Sequence, residues 1–246
     1  LPWLAQQVQC WRQELQPRLE EAGIHVRHYA DLKGKQRKLL RRYFEQEIFP
    51  VLTPLAFDPG HPFPHISNLS LNLAVVINDP AQGQRFARIK VPDSLPRLLP
   101  IPSEEKADSY ERLGLAQARF SDFVWMEEVV AANLDLLFPG LEVAAAYPFR
   151  VTRDADLEIE EDEASDLLTT IEESVGMRHF GFVVRLEVDT AMPSRIREIL
   201  ETNLGLAPYQ VYAVDGPIGL AGTMGLMAVD RPDLKDVPFA PTVPPA

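Results

Sequence analysis

The stretch Tyr147 to Asp189, YPFRVTRDADLEIEEDEASDLLTTIEESVGMRHFGFVVRLEVD, reads as strand, helix, strand and decides the fold. In its first part Phe149, Val151 and Arg153 alternate with Arg150, Thr152 and Asp154. Further on, Leu157 and Ile159 alternate with Asp156, Glu158 and Glu160. A period of two sends one row of side chains inward and a row of carboxylates outward. Next, Leu167, Leu168, Ile171 and Val175 recur at helical spacing. Glu161, Asp162 and Glu163 stand where a helix N-terminus favours negative charge, and Gly176 can end the helix. Finally Phe182, Val184, Leu186 and Val188 alternate again, so the chain has returned to its sheet.

Working outward, this unit sits in a chain of 246 residues that is 46% hydrophobic and 24% charged, within the range of ordinary globular proteins. A formal net charge of -12 argues against nucleic acid as a partner, because binding phosphates in bulk needs surplus Lys and Arg. The single cysteine, Cys10, excludes an intrachain disulfide and a cysteine-based zinc site. Together with the lack of a signal-like start and of a long apolar run, this gives no transmembrane segment and a cytoplasmic location as the expectation.

On the amino-terminal side, Leu4, Val8, Trp11, Leu15 and Leu19 form a helical stripe interrupted by Pro17 and closed by Gly23. If the chain truly starts there, part of the partner of that stripe is missing. A second helix is expected from Gly34 to Phe49, with Leu39, Leu40, Tyr43, Phe44 and Ile48 inward. Leu69 to Ile77 and the run from Phe86 read as a hairpin joined by NDPAQGQ. DFVWMEEVVAANLDLLFPG reads as a helix through Val129, Val130, Asn133, Leu134 and Leu137. On the carboxy-terminal side, Ser194 to Asn203 reads as a helix with a serine cap and a Gly205 stop, and YQVYAVDG as a strand. Gly216, Gly219, Gly222 and Gly225 recur at every third position, which suggests a flexible turn leading to a weak helix. The expected class is therefore α/β (α+β): a two-layer mixed-sheet sandwich with helices on one face, preceded by an N-terminal helical segment.

Few residues invite chemistry. Arg37, Lys38, Arg41 and Arg42 make a basic helix flank, read either as a solvated face or as a polyanion patch. His61 and His65 have HxxxH spacing, but Pro62 and Pro64 forbid the helix that would bring both rings to one metal. Asp154, Asp156, Glu158 and Glu160 share a strand side. They read as a charged edge that discourages pairing or as ligands for a hard cation. Arg150 and Arg153 have the reach to bridge to those acids or to a neighbouring domain, so Arg150, Arg153, Asp154 and Asp156 are candidate interdomain or dimer contacts. His179 reads as a turn residue. No catalytic, cofactor-binding or metal-binding residue is assigned.

The runs YFEQEIFPVLTPLAFDPGHPFPHISNLSLNLAVVI, FARIKVP, FVWMEEVVAANLDLLFPG, FRVTRDADLEIEEDEASDLL, FGFVVRLEV, YAVDGPIGL and RPDLKDVPFAP, in this order, resemble the amino-terminal part of a bacterial polyphosphate kinase of the first type. Ser103 to Ala118 and the glycines after Gly219 depart from the family pattern. The resemblance implies residues 1–49 as the end of a helical domain, 50–235 as an α/β head (middle) domain, and 236–246 as a Pro-rich linker to carboxy-terminal catalytic domains of phospholipase D type. It further implies a parent enzyme that uses ATP and magnesium to extend polyphosphate reversibly through a phosphohistidine. That parent is a homodimer, cytoplasmic, with room for peripheral association with a membrane.

None of His25, His28, His61, His65 and His179 falls in a segment matching the family's catalytic motif. This chain alone is therefore expected to be inactive, to scaffold and dimerise, and to depend on the absent carboxy-terminal domains for chemistry. A free-standing interaction module and a polyanion-binding domain, with polyphosphate as its ligand, stand as alternatives. A metal-dependent hydrolase on the acidic strand ranks last, since no polar triad accompanies the carboxylates.

Overall fold

The computed structural model describes residues 2–57, 63–80, 83–101, 121–154, 181–237 and 239. The organising stretch supplies β7 (Glu142–Arg153) and β8 (Val183–Asp189), which pair antiparallel with Arg150 opposite Glu187 and Val151 opposite Leu186. The expected strand over 157–160, the helix over 161–176 and His179 lie outside the described residues. So does the segment 103–118.

Around β7, a six-stranded sheet runs in the order β2-β4-β3-β7-β8-β9, where β2 is Leu55–Phe57, β3 Leu71–Asp79, β4 Gly83–Lys90 and β9 Val211–Val214. The β3–β4 hairpin is the expected one, closing with Asp79 opposite Gly83. All neighbours are antiparallel except β8 and β9, whose parallel pairing requires a crossover. Helix α5 (Ser194–Leu204) makes that crossover, burying Ile196 and Leu200 and ending on Gly205 at φ 66°. Its cap residue is Pro193 and no side chain bonds there, so the serine begins the helix rather than capping it.

The expected α/β class, the mixed sheet and the leading helical segment are present. The helices, expected on one face, divide between two. The reason lies in β3, where Asn72 to Ile77 are all buried, so both faces of the sheet need covering. Leu73, Val75 and Ile77 share one core with Leu40, Phe44 and Ile48 and with Met126, Val129 and Val130. Those residues come from α3 (Gly34–Tyr43) with the π-type turn Phe44–Ile48 after it, and from α4 (Met126–Ala132). Ala74 and Val76 join Phe149, Val151, Leu186 and Val188 on the other face, under α5. Each fully buried side chain such as Phe149 contributes roughly 1.5–3 kcal/mol to folding.

The short strand β2 was not expected, and neither were three more. β1 (His25–Arg27), β6 (Asp122–Trp125) and β5 (Leu98–Pro100) form a second sheet in the order β1-β6-β5. The run read as one helix from Asp122 is thus a strand that turns into α4 at Met126. Of the amino-terminal helices, α2 (Gln16–Glu21) packs against this sheet through Leu19, while α1 (Pro2–Cys10) reaches the large sheet, with Val8 against Val214 and Ile218. A wide π-type turn, Trp11–Leu15, joins the two helices, with the Gln16 N–H bonded to the Trp11 carbonyl. That turn absorbs Pro17 without breaking the helical run, but it rotates the stripe: Trp11 is buried and Leu15 is exposed. Trp11 packs with Ile24, Val26, Phe123 and Trp125. At the start of β8 the expected alternation also slips, because a bulge puts Val183 opposite Arg153 and leaves Phe182 and Val184 exposed.

Candidate functional site

The amino-terminal helices, the two sheets and the loop Asp215–Ile218 meet around a cleft of about 330 Å³. Its walls mix apolar side chains such as Trp11, Leu73 and Trp125 with ion-paired ones. The Arg12 guanidinium makes a fork on Asp215, at 3.0 and 3.2 Å, and holds that carboxyl below the usual range. His28 Nδ1 lies 2.9 Å from Glu128 Oε1, and Glu128 Oε2 accepts the Tyr29 N–H at 2.6 Å. The bond to Glu128 raises the His28 pKa against the opposing effect of burial. Trp11 and Trp125 meet edge to face, with centroids 6.2 Å apart.

Two further arginines tie the carboxy-terminal loop to both sheets. Arg97 grips Glu127 through Nη2 at 2.6 Å and Nε at 3.2 Å, donates to the Gly219 carbonyl at 2.5 Å, and lies 4.7 Å above the Trp125 ring. Both partners are largely shielded, at 16% and 9% side-chain exposure, so the pair is stronger than a surface bridge and costly to break from one side. On the large sheet, Glu187 is buried and receives Arg150 Nε at 2.7 Å and Arg185 Nη2. Arg185 also stacks over Tyr212 at 4.9 Å.

The glycine repeat belongs to this seam. A Cβ on Gly216 would sit 2.7 Å from Val8 Cγ1, one on Gly219 2.8 Å from Arg150 Nη1, and one on Gly222 2.7 Å from Arg97 Cδ. Spacing by three suits the 3-10 helix Leu220–Ala228 that follows, so the small residues face the two arginines and α1. Gly219 also holds φ at +68°, where a side chain is strained.

Of the sequence-derived candidates, the basic flank of α3 forms a groove of about 650 Å³ with Lys35, Lys38, Arg41, Arg42 and Glu45 in its wall. Arg41 is engaged by Asp135 at 2.7 and 3.1 Å and by Asn133 at 3.2 Å. Arg37 donates to the Ala30 carbonyl at 2.5 Å and lies 5.9 Å from the Tyr29 ring centre. Arg150 and Arg153 separate. Arg150 joins the seam, while Arg153 donates to the carbonyls of Ile66 at 2.7 Å and Gly181 at 2.8 Å and reaches His65 Nδ1 at 3.3 Å. The Asp154 N–H bonds Phe182 O at 2.8 Å; Asp156 and His61 lie outside the described residues. His65 lies on a segment with neither helix nor strand, so HxxxH spacing there is not helical.

Sequence reasoning missed Glu127, Glu128, Glu187, Arg97 and Asp215. Two of these stood in plain view as the acidic first turn of α4. The others depend on register between strands distant in sequence. Among the described residues no three His, Cys, Asp or Glu converge on one point; Glu127, Glu187 and Asp215 each bond an arginine, and Glu128 bonds the His28 ring. What the arrangement does is hold three structural units in one geometry.

Over residues 35–226 the chain matches the family model of the polyphosphate kinase middle domain. Polyphosphate kinase 1 of Chlorobaculum tepidum is 47% identical across 94% of this chain and 32% of its own length. The polyphosphate kinase of Aphanizomenon baltica is 47% identical across 99% of this chain and 62% of its own. A crystal structure of polyphosphate kinase from Porphyromonas gingivalis has the same fold, with a TM-score of 0.69 at 24% identity over 96% of this chain and 32% of that one. The chain therefore spans about a third of the length of the first and last of these proteins. Since the middle-domain match alone extends over most of its residues, the chain belongs to the polyphosphate kinase family.

Proposed function

We propose that this chain is the scaffolding middle portion of a polyphosphate kinase, holding and dimerising the catalytic parts without performing phosphoryl transfer itself. The parent enzyme, in this reading, moves the terminal phosphate of ATP reversibly to polyphosphate through a phosphohistidine. ATP and magnesium act in carboxy-terminal domains beyond the segment that matches here. The observation that carries the reading is the seam: Arg12 bonds Asp215 across the amino-terminal turn and the loop after β9, Arg97 bonds both Glu127 and the Gly219 carbonyl, and Arg150 pairs with Glu187 within the large sheet, so these charges are spent on one another. Such a body transmits position well because its shielded charges are paired within it. Incubating the chain with ATP and magnesium tests this. The expected result is neither polymer nor labelled protein above a heat-killed control, and turnover by this chain alone would overturn it.

The basic groove on α3 supports a secondary role as a surface along which the polymer passes. Lys38 and Arg42 are exposed there, on the outer side of a helix whose inner side is buried in the core.

A further inference from the structure

Arg88 sits on β4, two residues beyond Phe86 and therefore on the same face of the sheet. It is 6% exposed. Among the described residues it has one hydrogen bond, from Nε to Oδ1 of Asn72 at 2.8 Å, and no carboxylate pairs with it. Asn72 is itself fully buried and pinned by its Nδ2, which donates to Ser70 O at 2.9 Å and Ser70 Oγ at 3.1 Å. Its carbonyl oxygen is thereby aimed at Arg88, and the two Nη groups of the fork are left over.

Elsewhere in the fold a shielded arginine has an acid: Glu127 for Arg97, Glu187 for Arg150 and Arg185. An unpaired buried guanidinium costs several kcal/mol of desolvation, and an apolar side chain of similar size would be tolerated better. Burial accordingly lowers the Arg88 pKa. A strap of chain passes over this face. Phe63 stacks on Phe86 with centroids 6.1 Å apart, and Ile66 enters the same core. Beside it, Arg153 donates through Nη2 towards His65 Nδ1. Arginine only donates, so that ring nitrogen accepts. After burial, the charges of Arg153 and Arg88 are what keep the His65 pKa low, which places both cations near this ring.

We propose that Arg88, backed by Asn72 and flanked by Arg153 and His65, is the floor of a binding site for a phosphoryl oxyanion. A guanidinium presents parallel N–H groups that match two oxygens of a tetrahedral anion, and a shielded setting strengthens such charge-assisted bonds. The site rests on the geometry of Arg88; only the choice of a phosphoanhydride as ligand rests on the family reading.

The test is titration of the chain with sodium tripolyphosphate and with orthophosphate, without magnesium and at constant ionic strength, by calorimetry and by thermal melting. The wild-type chain is expected to bind tripolyphosphate and to melt higher in its presence. Arg88→Met is expected to weaken binding about tenfold or more and to abolish the ligand-induced rise, while melting no lower than wild type without ligand. Should Arg88→Met unfold, Arg88→Lys decides, since it keeps the charge and loses the fork: weakened binding with an intact melt supports the site, and unchanged binding overturns it. Equal binding by Arg88→Met, an equal response to acetate, or no binding of either phosphate ligand to wild type also overturns it. Those outcomes leave the scaffold reading standing, and ATP turnover by the chain would leave this site standing.

Discussion

At Glu187 one buried carboxylate neutralises two arginines, so its removal is asymmetric in effect. Glu187→Gln keeps the shape but leaves Arg150 and Arg185 facing each other in a shielded place, at an expected loss of about 3–5 kcal/mol in urea unfolding. The triple variant Glu187→Leu, Arg150→Met and Arg185→Met is expected to recover much of that loss, because no charge of the cluster then needs solvating there. Recovery no better than in the single variant would show that the pair contributes more than mutual neutralisation. Arg150 was readable from the sequence as a long cation that bridges to something. Its partner was not, because Glu187 reads only as the polar half of an alternating strand. The pairing follows from the β7–β8 register, which the intervening residues do not disclose.

Elements with a clean period were legible: the β3–β4 hairpin, β7, β8, β9, α3 and α5 lie where alternation or helical spacing puts them. β1, β5 and β6 were not. Each is three or four residues long, and β6 runs without a break into the apolar start of α4, so Phe123 to Val130 presents one hydrophobic pattern to any reading by period. The candidate site suffered more, since it is assembled from β7, β8, α4, the amino-terminal helices and a loop after β9. The glycine repeat was visible as a repeat, but its reason is Arg97, Arg150 and Val8 on the other side of the seam. Gly219→Ala is expected to cost about 1–3 kcal/mol, from its backbone angle and from the contact with Arg150 together. Gly34→Ala, at the start of α3 with open space around it, is the control and is expected to be neutral or slightly stabilising. Chemical denaturation of the two variants side by side separates the contact from a general effect of glycine loss.

For the molecule as a whole, a net charge of -12 repels polyanions at a distance, so any binding of long polyphosphate has to come from a local cluster. On α3, Lys38 and Arg42 are exposed in the wall of the groove and stand where such a polymer would meet the helix. Lys38→Ala with Arg42→Ala is expected to weaken binding of long-chain polyphosphate severalfold at low salt, with the difference shrinking as salt rises, measured by co-sedimentation. Arg41→Ala is expected to lower the melting temperature, because it releases Asp135. Binding untouched by the double change would remove α3 from the polymer's path. The clasp of Arg12 on Asp215 links positions 203 apart, and Val8 packs with Val214 and Ile218. On a growing polypeptide α1 must therefore wait, greasy side uncovered, until the segment around Val214 to Ile218 has been made. Chaperone dependence during synthesis, and early hydrogen exchange in that helix afterwards, are what such an order of assembly entails.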